Sequence, residues 1–131
     1  MMRDVYLGHL KLYGEEDRDT FLVAENYAIT LIALQRFEEA KSVLRKIMPV
    51  AQRVLGENDE ATIRMRWIYA TALIRDPSAT LDDLREVVTT LEDTSRIARR
   101  VLGSAHPFTK SIETALQDAR AELRACETPS I

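Results

Sequence analysis

Apolar residues recur every three or four positions along this chain, which is the spacing of one face of an α-helix. The most regular run extends from Phe37 to Leu55, and a shorter run from Ala24 to Leu34 precedes it. Gln35-Arg36 separates the two runs, so we expect a helical hairpin with a very short turn. The same plan returns as helices from about Glu60 to Arg75 and from about Thr80 to Leu102. The pattern therefore predicts two successive helical hairpins.

Similar junctions connect the hairpins to each other and to their flanking helices. Each junction contains a glycine after an apolar pair, where a helix that ends in a left-handed residue favours glycine: Gly14, Gly56 and Gly103. Three positions later stands a residue suited to cap the next helix: Asp17, Asp59 or His106. Three positions further stands a threonine whose hydroxyl can reach back to the backbone of the cap: Thr20, Thr62 or Thr109. Because the glycines lie 42 and 47 positions apart, the chain reads as a repeat of two helices per unit.

One further helix lies at each end, so the sequence predicts an all-α solenoid of antiparallel helix pairs with about six helices. We expect a single domain over residues 1–126 and a disordered tail over 127–131. The domain divides into a half repeat (1–14), a repeat (15–56), a longer repeat (57–103) and a terminal helix (104–126). The five extra residues of the longer repeat are expected as two in the Asp76-Pro77-Ser78 turn and three inside its second helix, which aligns Leu84 with Ala40. Pro49 is expected to kink its helix, because proline cannot donate a backbone hydrogen bond.

Three motifs resemble those of a known repeat family. Val-Leu-Gly-Ser-Ala-His-Pro-Phe-Thr, at 101–109, resembles the junction between the 42-residue tetratricopeptide (TPR) repeats of kinesin light chains and nephrocystin-like proteins. Asn26-Tyr27-Ala28 is similar to the Asn-Leu-Ala of that family's first helix, and 36–40 is similar to the Arg-Tyr-x-x-Ala that begins its second. The resemblance covers almost the whole chain and implies a right-handed TPR-like superhelix.

The resemblance also implies a function, because the first helix of each TPR unit lines a concave surface that binds peptides of other proteins. Carrying the family positions over gives the groove residues Leu22, Glu25, Asn26, Ile29, Ala33, Arg64, Trp67, Ile68, Thr71 and Arg75. In the family, the asparagine of Asn-Leu-Ala bonds the backbone of the peptide; here only Asn26 keeps that role, since Ile68 and Ala115 replace it. Trp67 has two readings, one in the groove and one in the packing between helices.

A structural role is the alternative, in which the protein self-associates through its first helix as a homodimer. The apolar residues of that helix are Met2, Val5, Tyr6, Leu10 and Tyr13. They leave its outer side without an obvious polar face, whereas the terminal helix is charged enough to cap the other end. The sequence leaves both functions open.

Charge and composition argue against several other classes of protein. The formal net charge of −3 gives no reason to expect nucleic acid, and no apolar run is long enough to span a membrane. Cys126 is the only cysteine, which favours a reducing, cytoplasmic location. We expect a non-catalytic protein without cofactor or metal, since His106 reads as a helix cap and His9 as a packed side chain. Arg96, Arg99 and Arg100 read as a solvated face, with Glu92 placed to pair with Arg96.

Overall fold

A computed structural model describes residues 2–14 and 16–127 of the chain. Within these residues the chain forms six helices and no strand, which confirms the all-α fold. The helices are α1 (Met2–Tyr13), α2 (Arg18–Ala33), α3 (Phe37–Leu55), α4 (Glu60–Arg75), α5 (Leu81–Val101) and α6 (Pro107–Glu127). Helix α6 thus includes Glu127, and the rest of the predicted tail, 128–131, lies outside the described residues.

Each helix packs against the next one along the chain, as expected for a solenoid of helix hairpins. In addition α2 contacts α4, and α4 contacts α6. The first helices of the repeats therefore form one layer, and the second helices, α1, α3 and α5, form the other. The two layers share one continuous core that runs from Tyr6 in α1 to Ala119 in α6.

The helix junctions have the predicted caps. The Asp17 and Asp59 carboxylates each accept a hydrogen bond from the backbone N–H two residues later, at 2.9 Å. His106 caps α6 in the same way, because its Nδ1 accepts from the N–H of Phe108 at 3.1 Å. Each junction glycine has a positive φ, and Gly56 combines a φ of 89° with a ψ of 164°. A side chain at such a backbone geometry is strained, which explains why glycine recurs there.

The junction threonines differ from the sequence-based expectation. Thr20 donates its hydroxyl hydrogen bond at 2.8 Å to the carbonyl of Gly14, at the end of the preceding helix, rather than to the backbone of its own cap. This bond satisfies one of the carbonyls that a helix C-terminus leaves without a partner. The hydroxyls of Thr62 and Thr109 are buried and have no hydrogen-bond partner among the described residues.

Two of the five extra residues of the longer repeat lie in the turn between α4 and α5 and three lie in α5, as expected, but these three lengthen the start of the helix and are not inserted after Leu84. The buried residues of α5 match those of α3 at a constant separation of 47: Val87, Leu91, Thr94 and Ala98 correspond to Ala40, Leu44, Ile47 and Ala51. Val87, and not Leu84, therefore takes the place of Ala40. The added turn at the start of α5 is stabilised by a capping box, in which Thr80 and Asp83 exchange hydrogen bonds.

Helix α6 exposes polar side chains at positions that are buried in the other first helices. Ala28 in α2 and Ala70 in α4 are buried, and the corresponding Gln117 in α6 is exposed. Likewise, Leu31 in α2 and Leu73 in α4 are buried, and the corresponding residue of α6 is the exposed Arg120. Arg120 pairs with Glu92 of α5 at 2.8 Å. This face of α6 is therefore stable in water without a covering helix.

Candidate functional site: the concave groove

An open, mainly apolar cavity of about 270 Å³ lies between α2 and α4 on the side of the first helices. Its lining consists of Ile29, Ile32, Ala33, Trp67, Ile68, Thr71 and Arg75. Six of these seven residues belong to the set that the family positions supplied; Ile32 is the addition.

Trp67 lies at the centre of this surface. It lines the 270 Å³ cavity on one side, and on the other side it lines two cavities of about 220 and 400 Å³ between α4 and α6. Its ring also packs against Phe108, with the ring centroids 5.7 Å apart. The half-buried indole of Trp67 therefore packs against α6 and also borders open space.

Residues of α6 extend the surface, and the sequence analysis did not include them. The cavities beside Trp67 are lined on the α6 side by Ser111, Thr114, Ala115 and Asp118. These residues lie 47 positions after Arg64, Trp67, Ile68 and Thr71. The repeat spacing alone was the signal that could have identified them.

Glu25 and Arg64 pair with each other. The Nε and Nη2 atoms of Arg64 donate to Oε2 of Glu25 at 3.2 and 2.9 Å, and Glu25 is only 4% exposed. Burial raises the pKa of Glu25, and the hydrogen bond and charge of Arg64 oppose this effect only in part. Arg64 therefore crosslinks α4 to α2, and its guanidinium is not free for a ligand carboxylate.

Four other predicted groove residues are exposed and are not held by side-chain ion pairs between helices: Leu22, Asn26, Ile29 and Arg75. Arg75 and Asn26 are exposed, and the side chain of neither has a hydrogen bond or ion pair within the described part of the chain. Leu22 and Ile29 are large apolar side chains that are 43% and 49% exposed. Asp118 lines the cavity between α4 and α6 together with Arg75, so the groove presents both signs of charge.

The predicted self-association residues of α1 divide between its two sides. Tyr6 is buried, with its ring 5.6 Å from that of Tyr27, and Met2 and Leu10 pack against the core. Val5 and Tyr13 are 51% and 62% exposed. Leu12 was not predicted, although at 77% it is the most exposed large apolar residue that the structure describes.

The arginine cluster near the end of α5 is paired differently from the expectation. Glu92 does not pair with Arg96: it bonds Arg120 of α6, and Arg96 bonds Asp93 on its own helix. Arg99 pairs with Glu113 of α6, and Arg100 donates to the side chain of Asn58 at 2.8 Å. The packing of α6 brings charged partners of both signs to α5, Glu113 and Arg120, which the spacing along one helix does not reveal.

His9 lies beside two aspartates at the first junction. Its Nε2 is 3.9 Å from Oδ1 of Asp17, and its ring lies 4.5 Å from that of Tyr13. His9, Asp17 and Asp19 offer ligand atoms within 4.8 Å of one another. Oδ1 of Asp17 already accepts the capping hydrogen bond from the backbone of Asp19, which accounts for its position without a metal.

The other perturbed ionisable groups are held by internal contacts between helices. Burial would lower the pKa of Lys41, but hydrogen bonds to Glu38 and Asp76 outweigh it and raise the pKa. A backbone hydrogen bond from Ser78, together with Lys41, lowers the pKa of Asp76. None of these groups lines the concave cavities.

Among the described helices, none has the length and apolar character needed to cross a membrane.

Comparison with known proteins agrees with the geometry. Residues 23–61, from α2 to the first turn of α4, match the family model of the tetratricopeptide repeat. No curated protein matches the chain. Repeats of this family are non-catalytic scaffolds that generally mediate protein–protein interactions. The segment 23–61, which holds most of the α2–α3 hairpin, is therefore similar to a tetratricopeptide repeat.

Proposed function

We propose that this protein binds a segment of another protein along the concave groove formed by α2, α4 and α6, without catalysis and without a cofactor. The observation that carries the proposal is the 270 Å³ cavity between α2 and α4, which combines an apolar lining with one arginine at its edge. An apolar side chain of the partner fills the cavity, and a carboxylate beside it pairs with Arg75.

The residue types in the groove support this function. Tryptophan and arginine are the residues found most often where binding energy concentrates, and Trp67 and Arg75 lie together here. Asn26 adds a carboxamide that can both donate and accept hydrogen bonds with a peptide backbone. A concave solenoid surface of this kind suits an extended segment better than a compact ligand.

The test begins with identification of the partner by photocrosslinking. A photoreactive amino acid in place of Ile29 would lie in the groove. The control carries the same amino acid in place of Arg85, an exposed residue of α5 outside the groove. We expect one partner to crosslink from position 29 and not from position 85. The crosslinked peptide then gives the bound segment for direct titration.

Trp67 supplies the readout of that titration, because it is the only tryptophan in the chain. We expect binding of the segment to shift the fluorescence emission of Trp67. Arg75→Gln should weaken this binding by about tenfold, because it removes a hydrogen-bonded ion pair. Arg124→Gln is the matched control, since Arg124 is exposed and lines none of the groove cavities. The proposal fails if Arg75→Gln and Ile29→Ala bind the segment as tightly as the unmodified protein.

The outer face of α1 supports a second candidate function, self-association as a homodimer. Val5 corresponds to Ile47 of α3, 42 positions later, and Ile47 is 1% exposed whereas Val5 is 51% exposed. Leu12, on the same side of α1, is also exposed. The counterpart of Val5 is thus covered within the fold, whereas Val54, the counterpart of Leu12, is itself 43% exposed. A second copy of the chain would cover Val5 and Leu12 in a dimer.

A further inference from the structure

A tyrosine, an arginine and a glutamate close the cleft between α3 and α5 on the side of the second helices. Nε of Arg45 donates to the hydroxyl oxygen of Tyr69 at 3.2 Å, and the hydroxyl of Tyr69 donates to Oε2 of Glu86 at 2.9 Å. The guanidinium carbon of Arg45 also lies 5.8 Å from the centre of the Tyr69 ring. One chain of contacts therefore links α3, α4 and α5, and its acceptor end is a carboxylate.

The same three residue types recur one repeat earlier. Arg3 and Tyr27 lie 42 positions before Arg45 and Tyr69, and Glu39 lies 47 positions before Glu86. The separation of 47 is the one that aligns the buried faces of α3 and α5. The first repeat thus carries the residues of the same contact between α1, α2 and α3.

The corresponding hydrogen bond between Tyr27 and Glu39 is not formed in the first repeat, because Glu39 pairs with Arg36 instead. Oε1 of Glu39 pairs with Nε of Arg36 at 3.0 Å. No other described residue forms a hydrogen bond or ion pair with the side chain of Arg3 or with the Tyr27 hydroxyl. Among the described residues, Arg3 and the Tyr27 hydroxyl therefore have no carboxylate partner, although both line the same cleft.

An open cleft of about 620 Å³ lies at this position. Its lining includes apolar side chains, among them Leu7 and Val43, together with Arg3, Tyr27, Glu39 and Lys46. Lys46 is exposed and has no ion pair with a described residue. The corresponding residue of α5, 47 positions later, is Asp93, so the charge at this position changes sign between the two repeats. The volume is in the range of ligand sites, and the uncompensated charge is positive.

We propose that the cleft between α1 and α3 is a second binding surface, which takes an acidic segment of a partner protein. A carboxylate of the segment occupies the place that Glu86 has in the later repeat, where it faces Arg3 and the Tyr27 hydroxyl. A second carboxylate pairs with Lys46, and an apolar side chain between them contacts Leu7 and Val43. This surface lies among the second helices, so it is independent of the concave groove and of the function proposed for it.

The chemistry can be tested with short blocked peptides. The probe is acetyl-Leu-Glu-Leu-Glu-amide, and its uncharged match is acetyl-Leu-Gln-Leu-Gln-amide, each titrated to millimolar concentration into ¹⁵N-labelled protein and followed by NMR. We expect the acidic peptide to shift amide signals of α1 and α3 and to leave the Trp67 indole signal unchanged. Equal shifts with both peptides, shifts centred on the concave helices, or no shifts at all would overturn the proposal.

Variants identify the groups that bind. Arg3→Gln combined with Lys46→Gln should weaken the acidic peptide by about tenfold or more, since each removes a charge-assisted hydrogen bond. Lys11→Gln is the matched control: Lys11 is an exposed cation on the same helix that does not line the cleft. Arg36→Gln should also weaken the peptide, because it releases Glu39 to close the cleft as Glu86 does. Binding that survives the double variant, or that Lys11→Gln reduces equally, contradicts the assignment.

Discussion

The three junction threonines occupy one position of the repeat and differ in a single hydrogen bond. Thr20 donates to the carbonyl of Gly14, whereas the buried hydroxyl of Thr62 has no partner within the described chain. A buried polar group that lacks a partner destabilises the folded state, and a satisfied one stabilises it. The same substitution should therefore have opposite effects at the two sites.

We predict that Thr20→Val lowers the free energy of unfolding by about 1 kcal/mol, the usual net worth of one hydrogen bond. Thr62→Val should leave it unchanged or raise it, because a methyl group replaces an unpaired hydroxyl of similar size. Urea unfolding of both variants and the unmodified protein checks the pair. Equal losses from the two substitutions would show that Thr20 has no special bond.

Glu25 gives the protein a pH dependence of defined sign. Its pKa is raised in the folded state by burial, so the folded protein holds the proton more tightly than the unfolded chain. The contribution of Glu25 to stability is therefore fully present below its ordinary pKa and is lost as the pH rises through the folded-state pKa. A glutamine at this position cannot lose a proton.

We predict that Glu25→Gln becomes more stable relative to the unmodified protein as the pH rises from the ordinary glutamate pKa of 4.5 through the higher folded-state pKa of Glu25. Urea midpoints of both proteins, measured at four pH values, give the comparison. Arg64 retains an acceptor in the glutamine carbonyl, so the variant isolates the charge. A stability difference that does not change with pH would refute this assignment.

At the scale of elements, helix ends and turns were predictable, and the contacts between helices were not. Glycine after an apolar pair and aspartate three positions later are local signals, and the structure has both in the expected geometry. The partners of Glu25 and Glu92 come from neighbouring helices, 39 and 28 residues away, so no spacing within one helix indicates them. The position of the extra turn in α5 was also ambiguous, because Leu84 and Val87 are both apolar and both buried. Only the match of the later buried residues of α5 to those of α3 shows that Val87 takes the place of Ala40.

Two glycines of the chain lie in opposite backbone environments and provide a matched test of the junction. Gly56 has a positive φ that other residues adopt only with strain, and Gly8 lies inside α1 with open space where a Cβ would stand. We predict that Gly56→Ala costs about 1–3 kcal/mol of folding stability, whereas Gly8→Ala stabilises the protein by up to about 1 kcal/mol. Thermal unfolding of the two variants measures both effects. Similar changes at the two positions would contradict the role of the junction.

The whole molecule has two unlike ends. At one end α1 exposes Val5 and Leu12, and at the other α6 covers itself with polar side chains such as Gln117 and Arg120. Association between copies should therefore involve α1 and leave α6 free, which makes pairing between two α1 faces the expected geometry of a homodimer. A two-fold arrangement of this kind buries the same face on both copies.

We predict that the average mass measured by light scattering rises with protein concentration and that Val5→Ser with Leu12→Ser abolishes the rise, since both remove exposed apolar surface. Leu34→Ser is the control, because Leu34 is equally large, 60% exposed and far from α1 in the chain. A mass that is constant over a hundredfold dilution would leave the concave groove as the binding surface and remove the dimer.

The polar face of α6 has a consequence for anyone who wishes to build on this scaffold. Gln117 and Arg120 replace the alanine and leucine that α2 and α4 bury, so a new hairpin fused after α6 would find polar side chains where it needs an apolar packing surface. Restoring alanine at 117 and leucine at 120 would create an acceptor for further repeats. At the other end α1 already offers apolar residues in the register of α3, and an added helix could be joined there without redesign. The protein can therefore be lengthened most readily from its N-terminal end.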